Sequence, residues 1–373
     1  MNVLLISYYM APDNTVAAQR ATYWANHISK HDEDIKVDVV TATADSSKDY
    51  LPNTNNVYTV KNTNSGLLAK LFKNDKGASW LYDLQLFFNK TETVTYDAVI
   101  LTGNPFLHFF IIKRLKAIHK CKIFLDYRDP FSRNERVVNN SLPNRMKRQV
   151  LKFIEYYFNS ISDHIIVMNE FCAQLLCSCK DTTISIIDNG FDESELKKAI
   201  PHKLVDCDSK TFVYLGSFAS DRNVNNLLRV FESSSDNLKL VHIGKEDKSV
   251  SEYPNTLAVG LVPYIEAQGY AKACDVGVVL ASGKKFESTT KIFDYIGLNL
   301  PILIITKGQK ETGNIHGLTK DYPMVWWATD NFEDIERVIK DILKALGQPN
   351  VEFDASEFSR QAGLRKLISI LVA

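Results

Sequence analysis

Short, nearly uninterrupted apolar runs alternate along this chain with stretches in which apolar side chains recur every three or four residues. NVLLIS (2–7), IKVDVVTA (35–42), YDAVILT (96–102), CKIFLD (121–126), DHIIVMN (163–169) and ISIID (184–188) read as buried strands. Arg20, Tyr23, Trp24, His27 and Ile28 carry helical spacing between the first two, and Gly103, Asn104 and Pro105 open a helix after the third by their cap preferences. Pro143 to Phe158 is a basic amphipathic helix. The pattern then repeats: strands at Phe212 to Gly216, Leu238 to Gly244, Thr256 to Val262, DVGVVLAS (275–282), Pro301 to Thr306 and around Trp326 and Trp327. Helices are expected after several of them, at LLRVF (227–231), Tyr264 to Cys274, 331–346 and 355–372, and a glycine-rich stretch, GQKETGNIHG, at 308–317. Strand alternating with helix predicts parallel sheets with helices on both faces, an α/β doubly wound architecture.

At 373 residues the length fits two such domains. The expected divisions are 1–195, 196–354 and a last helix at 355–373, with the polar, proline-containing 196–210 as linker.

One stretch carries most of the candidate chemistry, ESTTKIFDYIGLNLPILIIT (287–306). Ser288, Thr289 and Thr290 are helix-start residues, Lys291 to Leu298 make two turns, and Gly297 and Asn299 stop them before Pro301 opens a strand. The free N–H groups of a helix start favour a diphosphate, and Lys291 in the first turn supplies a counter-ion. Asp294, three residues on, shares that face and can accept the two hydroxyls of a ribose. The same residues also describe a capped surface helix with a solvated Lys–Asp pair. Arg20 is open in the same way, as a phosphate ligand or a solvated helix arginine. Between Ser65 and Lys90, Leu67, Leu68, Leu71, Phe72, Trp80, Leu81, Leu84 and Phe88 form apolar stripes among lysines, which fit core packing or contact with lipid.

Net charge is zero, so no global basic field points to nucleic acid. From Ile111 to Lys152, however, twelve Lys and Arg face three Asp and Glu. The amino terminus has no basic region ahead of its apolar run and no apolar run reaches spanning length, so a cytoplasmic protein is expected. The six cysteines, Cys121, Cys172, Cys177, Cys179, Cys207 and Cys274, show no C-x-x-C pair and read as reduced thiols rather than metal ligands. No G-x-G-x-x-G follows the first strand, which argues against a dinucleotide cofactor.

These stretches, in this order, resemble glycosyltransferase family 4 and related enzymes of the GT-B fold. Lys291, Asp294, Tyr295, Gly297, Pro301 and Ile302 match the family's K-x-x-E-Y-(small)-x-x-x-P donor run. The glutamate usually found eight residues before the ribose-binding acid is replaced by Phe286, with Glu287 one place out of step. Asp126, Arg128, Asp129, Pro130 and Phe131 resemble the D-x-R-D-P-W signature of one branch, and Asn189, Gly190 and Asp192 the N-G-x-D element, a tight turn. Gly216 and Arg222 fit the phosphate loop G-R-x-x-x-x-K, with Ser217 in place of its first cation. The run from Gly260 to Leu280 follows the G-x-V-P-x-x-E…A-D-V register, which sets Leu261 and Val262 beside the base. In the first loop only Pro12 and Arg20 match well, while Asn14, Thr15 and Ala17 stand where glycines are usual.

The resemblance implies two Rossmann-like domains facing a cleft, with the last helix crossing back to the first. It implies transfer of a sugar, with retention, from a nucleotide-diphosphate donor to a hydroxyl, without metal or cofactor. Arg128, Asp129, Arg222 and Lys291 would be catalytic. Gly216, Ser217, Arg222, Leu261, Val262, Glu287, Thr289, Thr290, Lys291 and Asp294 would bind donor, and Asn14, Arg20, Asn104 and Asn189 acceptor. The local basic excess and apolar stripe add a lipid-linked or saccharide acceptor at the anionic inner face of a bacterial membrane, in capsule or lipopolysaccharide synthesis. Two rivals remain: a GT-B sugar-nucleotide epimerase, which needs acid/base residues beside the sugar, and a non-catalytic sugar-binding or scaffold subunit, suggested by Phe286 and Ser217.

Overall fold

A computed structural model describes the chain except Asn14, Glu252 and residues 43–48, 91–93, 134–141, 178–181, 205–207, 219–223, 246–247 and 349–350. It divides into two compact units, Met1–Asp188 with Leu364–Ala373, and Asn189–Gly363.

Unit 1 carries strands β1 (Asn2–Ser7), β2 (Lys36–Thr41), β3 (Asn56–Thr59), β4 (Ala98–Gly103), β5 (Lys122–Tyr127), β6 (His164–Val167) and β7 (Thr183–Ile186). They form one sheet in the order β3-β2-β1-β4-β5-β6-β7, with every pairing parallel. Its helices are α1 (Val16–His31), α2 (Leu67–Leu71), α3 (Lys76–Lys90), α4 (Ile112–His119), α5 (Leu142–Ile161) and α6 (Glu170–Leu175). Central strands are apolar on both faces because helices cover both. Unit 2 carries helix α7 (Glu193–Lys198), strand β8 (Lys210–Leu215), then α8 (Asn225–Ser233), β9 (Leu238–Ile243), α9 (Lys248–Ser251), β10 (Thr256–Gly260), α10 (Tyr264–Lys272) and β11 (Val276–Ala281). It continues with α11 (Thr290–Gly297), β12 (Ile302–Thr306), α12 (Gly313–Thr319), β13 (Val325–Thr329) and α13 (Phe332–Ala345). Its six strands run β10-β9-β8-β11-β12-β13, again all parallel. The last helix, α14 (Arg360–Val372), begins in unit 2 and from Leu364 belongs to unit 1.

Several local expectations change. Asn104 does not cap a helix at Pro105: a 3-10 turn, Leu107–Ile111, precedes α4, and the Asp75 carboxylate accepts the Phe106 N–H at 3.2 Å. The glycine-rich stretch 308–317 contains most of α12. Residues within 196–210 pack on unit 2, where the His202 N–H donates to the Gly269 carbonyl at 3.0 Å and a Cβ on Gly269 would lie 2.3 Å from the Ile200 oxygen. Of the lysine-flanked stripes, Trp80, Leu81, Leu84 and Phe88 are core, whereas Leu67 and Leu71 are exposed. Cys121, Cys172, Cys177 and Cys274 are free thiols, and Cys179 and Cys207 lie outside the described residues. Among the described residues no helix is long and apolar enough to cross a membrane.

Candidate active site

In unit 2 the strand order runs outward in opposite directions from β8 and β11, so their carboxyl ends bound the crevice where open α/β sheets bind ligands. β8 ends at Gly216, whose φ of +119° is one that side-chain-bearing residues rarely adopt. A Cβ there would lie 3.1 Å from Nζ of Lys291 and 3.2 Å from its Cε. Lys291 thus lies along the bare main chain of Gly216, its ammonium 5.0 Å from the centre of the Tyr214 ring. The neighbouring strand ends close in through glycine as well: a Cβ on Gly244 would meet the Gly216 oxygen at 2.4 Å, and the Gly244 N–H donates to the Gly260 carbonyl at 3.0 Å. A ring nitrogen of His242 lies 2.9 Å from the Gly216 oxygen, which aligns the turn further. Just past Gly260, Leu261 is 79% exposed and Val262 half-buried, an apolar surface at the same strand ends. Ser217 is exposed, and its carbonyl accepts the Tyr214 hydroxyl at 3.2 Å.

Thr289 is the N-cap of α11, but its side chain makes no capping hydrogen bond. Thr289 is buried, and Thr290 and Lys291, half-buried, form the first turn beside Gly216. Glu287 is buried, and its Oε2 accepts both the N–H and the hydroxyl of Ser282, at 2.8 and 2.7 Å. It therefore braces the loop joining β11 to α11. Asp294 is 5% exposed and accepts the Tyr264 hydroxyl at 2.5 Å. Burial pushes its carboxyl up to about 6, against the opposing pull of Tyr264, Arg360, Gln268 and Lys291. Arg360 in turn lies 5.8 Å from the Tyr264 ring centre, donates from Nε to the Gly190 carbonyl at 3.0 Å, and stands 3.9 Å from the Asp192 carboxylate. Spacing along the sequence does not single out Tyr264, Gln268 and Arg360, because only the folded chain sets them around one carboxylate.

The expected Asn189–Gly190 turn is instead a backbone crossing. A Cβ on Gly190 would sit 2.5 Å from Arg360 N, and Phe191 exchanges backbone hydrogen bonds with Phe358 and Arg360. Asn189 is half-buried and belongs to unit 2, whereas the other proposed acceptor residues belong to unit 1.

In unit 1 the switch in strand order falls between β1 and β4. Arg20 is neither a solvated arginine nor an open phosphate ligand. Its guanidinium grips the fully buried Asp126 carboxylate at 3.0 and 3.2 Å and donates to the carbonyls of Ile187 and Asp188, each at 2.9 Å. Arg128 and Asp129 follow at the end of β5, both half-buried. The Arg128 Nε is buried with no hydrogen-bond partner among the described residues. Burial lowers the Arg128 pKa, while Asp129 and Asp126 raise it. Asp129 and Asp188 also add to the burial that pushes the Cys172 thiol up to about 12, so these groups are neighbours at the ends of β5, β6 and β7. Asn104 is exposed just after β4. Arg222 and Asn14 lie outside the described residues.

No protein-family model and no curated protein sequence matches this chain. Solved structures do. HepE of Anabaena, in complex with UDP and glucose, superposes with a TM-score of 0.66 over 100% of this chain and 99% of its own at 13% identity. A putative UDP-N-acetylglucosamine 2-epimerase from Listeria monocytogenes gives 0.61 over 99% and 95% at 12% identity. The lipopolysaccharide outer core galactosyltransferase WaaB gives 0.56 over 100% and 96% at 11% identity. The fold these likenesses show is GT-B, built here from two parallel-sheet Rossmann-like units.

Proposed function

We propose that this chain is a glycosyltransferase that moves a sugar from a nucleotide-diphosphate donor, with retention and without a metal, to a hydroxyl of a lipid-linked acceptor in bacterial surface polysaccharide synthesis. The observation that carries the reading is the contact of Lys291 with Gly216, at the strand switch and in the first turn of α11. A cation, the helix-start N–H groups of α11, whose N-cap side chain makes no capping hydrogen bond, and a glycine that lets a ligand approach the main chain together suit a diphosphate. As the bond from the sugar C1 to the diphosphate breaks, Lys291 and those N–H groups stabilise the charge gathering on the leaving oxygen. Arg222, from its place in the sequence, adds a second cation. The acceptor oxygen bonds to C1 on the face the diphosphate leaves, and its proton passes to the departing phosphate. Asp294 accepts from the ribose, Leu261 and Val262 flank the base, and Arg128 and Asp129 act near the sugar. The likeness to HepE in complex with UDP and glucose supports the donor class, and that to WaaB, a lipopolysaccharide outer core galactosyltransferase, the acceptor class.

The likeness to the Listeria epimerase favours one alternative, inversion at C2 of a UDP-N-acetyl sugar. Both readings begin with thermal shift against UDP- and GDP-sugars. The ligand that raises Tm is then incubated alone and with a lipid-linked saccharide. Transfer predicts a glycosylated lipid and free nucleoside diphosphate, undiminished by EDTA. A C2 epimer formed without acceptor selects the epimerase, and binding with no turnover selects a sugar-binding subunit.

A further inference from the structure

α5 turns an apolar line outward as well as inward. Its inner face is set by Ile154, Glu155, Phe158 and Asn159, all buried. On the opposite side Met146, Val150 and Phe153, spaced i, i+4 and i+7, are 65, 51 and 73% exposed, with Tyr156 beside them at 49%. Three residues at that spacing lie along one edge of a helix. A helix that already buries one face gains nothing in folding from a second apolar stripe in water, and contiguous exposed apolar surface marks a site of contact.

Charge selects the occupant. Arg145 and Lys147 are exposed beside the stripe, and Arg148 and Lys152 half-buried. The only acid in α5, Glu155, is 0% exposed, its carboxylate taken by the Ser132 hydroxyl at 2.7 Å and the Cys177 N–H at 3.0 Å. The adjoining α4 adds more cations, with Lys113 standing 5.3 Å from the Tyr157 ring centre and Arg114 exposed. A second copy of this chain docked on the stripe would bring these cations against themselves. A bilayer with anionic headgroups meets both features at once, taking the apolar side chains into its boundary and the cations at its surface.

The geometry points to α5 as an interfacial helix that holds this protein on anionic membranes through Met146, Val150 and Phe153 flanked by Arg145 and Lys147. The inference is independent of the donor-site reading. The test is co-sedimentation of the full chain with phosphatidylglycerol and with phosphatidylcholine vesicles, for wild type, Phe153→Glu and the pair Arg145→Glu with Lys147→Glu. Wild type is expected to bind phosphatidylglycerol at low salt and to bind phosphatidylcholine far less. Each variant should lower the partition coefficient about tenfold or more with Tm unchanged, since the substituted side chains are exposed. Sedimentation of Phe153→Glu equal to wild type overturns the proposal. So does a wild type that ignores anionic vesicles at every salt concentration, or one that forms a dimer which Phe153→Glu dissociates in the absence of lipid.

Discussion

Lys291 and Asp294 stand one turn apart on α11, and the fold treats them in opposite ways. Lys291 reaches to the main chain of Gly216, and Asp294 is folded in against Tyr264. Lys291→Ala removes a charge-assisted contact of roughly 1.5–3 kcal/mol, so nucleotide affinity should fall about tenfold or more with the melting curve kept. Unchanged affinity by calorimetric titration would remove Lys291 from the donor site. Asp294 predicts a pH dependence. Its carboxyl titrates near 6 when folded, chiefly because it is buried, and near its ordinary value when unfolded. The folded chain therefore binds more protons between about pH 4 and 6, and stability falls as pH rises through that window and stays lower above it. At about 1.4 kcal/mol per tenfold in proton affinity, the loss is on the order of 3 kcal/mol. Asp294→Asn cannot ionise, so its stability should be flatter than wild type across pH 4 to 6.5, read by urea melts. Parallel profiles would show that the carboxyl titrates normally. Lys291 and Asp294 could be read from spacing on a single helix. Arg20 could not be placed that way, because its partner Asp126 lies 106 residues away and spacing carries no sign of it. The role of Arg360 is hidden for the same reason, since it lies 170 residues from the Gly190 carbonyl it holds.

At the scale of elements, what the sequence conveys is the interior of each sheet. β1, β4, β11 and β12 are continuous apolar runs, and each appears within a residue or two of its expected bounds. β3 reads NVYT, half-buried at the sheet edge, and carries no such run. α12 hides behind Gly313 and Gly317, since glycine lowers helix propensity without forbidding a helix held by tertiary contacts. Two glycines in unit 2 separate turn geometry from packing space. Gly216→Ala must hold φ near +119° and push Lys291 away from β8. It should cost about 1–2 kcal/mol and weaken nucleotide binding. At Gly317, inside α12, a Cβ meets nothing within 4 Å among the described residues, so Gly317→Ala should be neutral or stabilise by up to about 1 kcal/mol. Thermal melts and nucleotide titrations of the two variants check the contrast, and equal effects would break the argument from φ.

Across the whole molecule, the division of the chain gives the last helix a double membership. Arg360 to Gly363 count with unit 2, where Arg360 holds Gly190 and pairs with Asp192, whereas Leu364 to Ala373 count with unit 1. The apolar run LRKLISILV (364–372) states that a face must be buried but not which sheet buries it. The structure answers through packing: Leu364, Leu367, Ile368 and Leu371 share one core cluster with Val3, Leu5, Trp24 and Ile28, from the opposite end of the sequence. Leu367 is fully buried there. Leu367→Ala removes its side chain from a packed core and should destabilise by about 2–5 kcal/mol, with the cavity adding to the lost transfer energy. The loss should be local to unit 1. Amide exchange should speed up in β1 and β2 while β11 and β12 keep their protection, because among the described residues the cluster holds none of unit 2. A change within about 0.5 kcal/mol of wild type, as at an ordinary surface position, would detach the helix from that core. Equal acceleration in both sheets would instead show that the two units unfold as one.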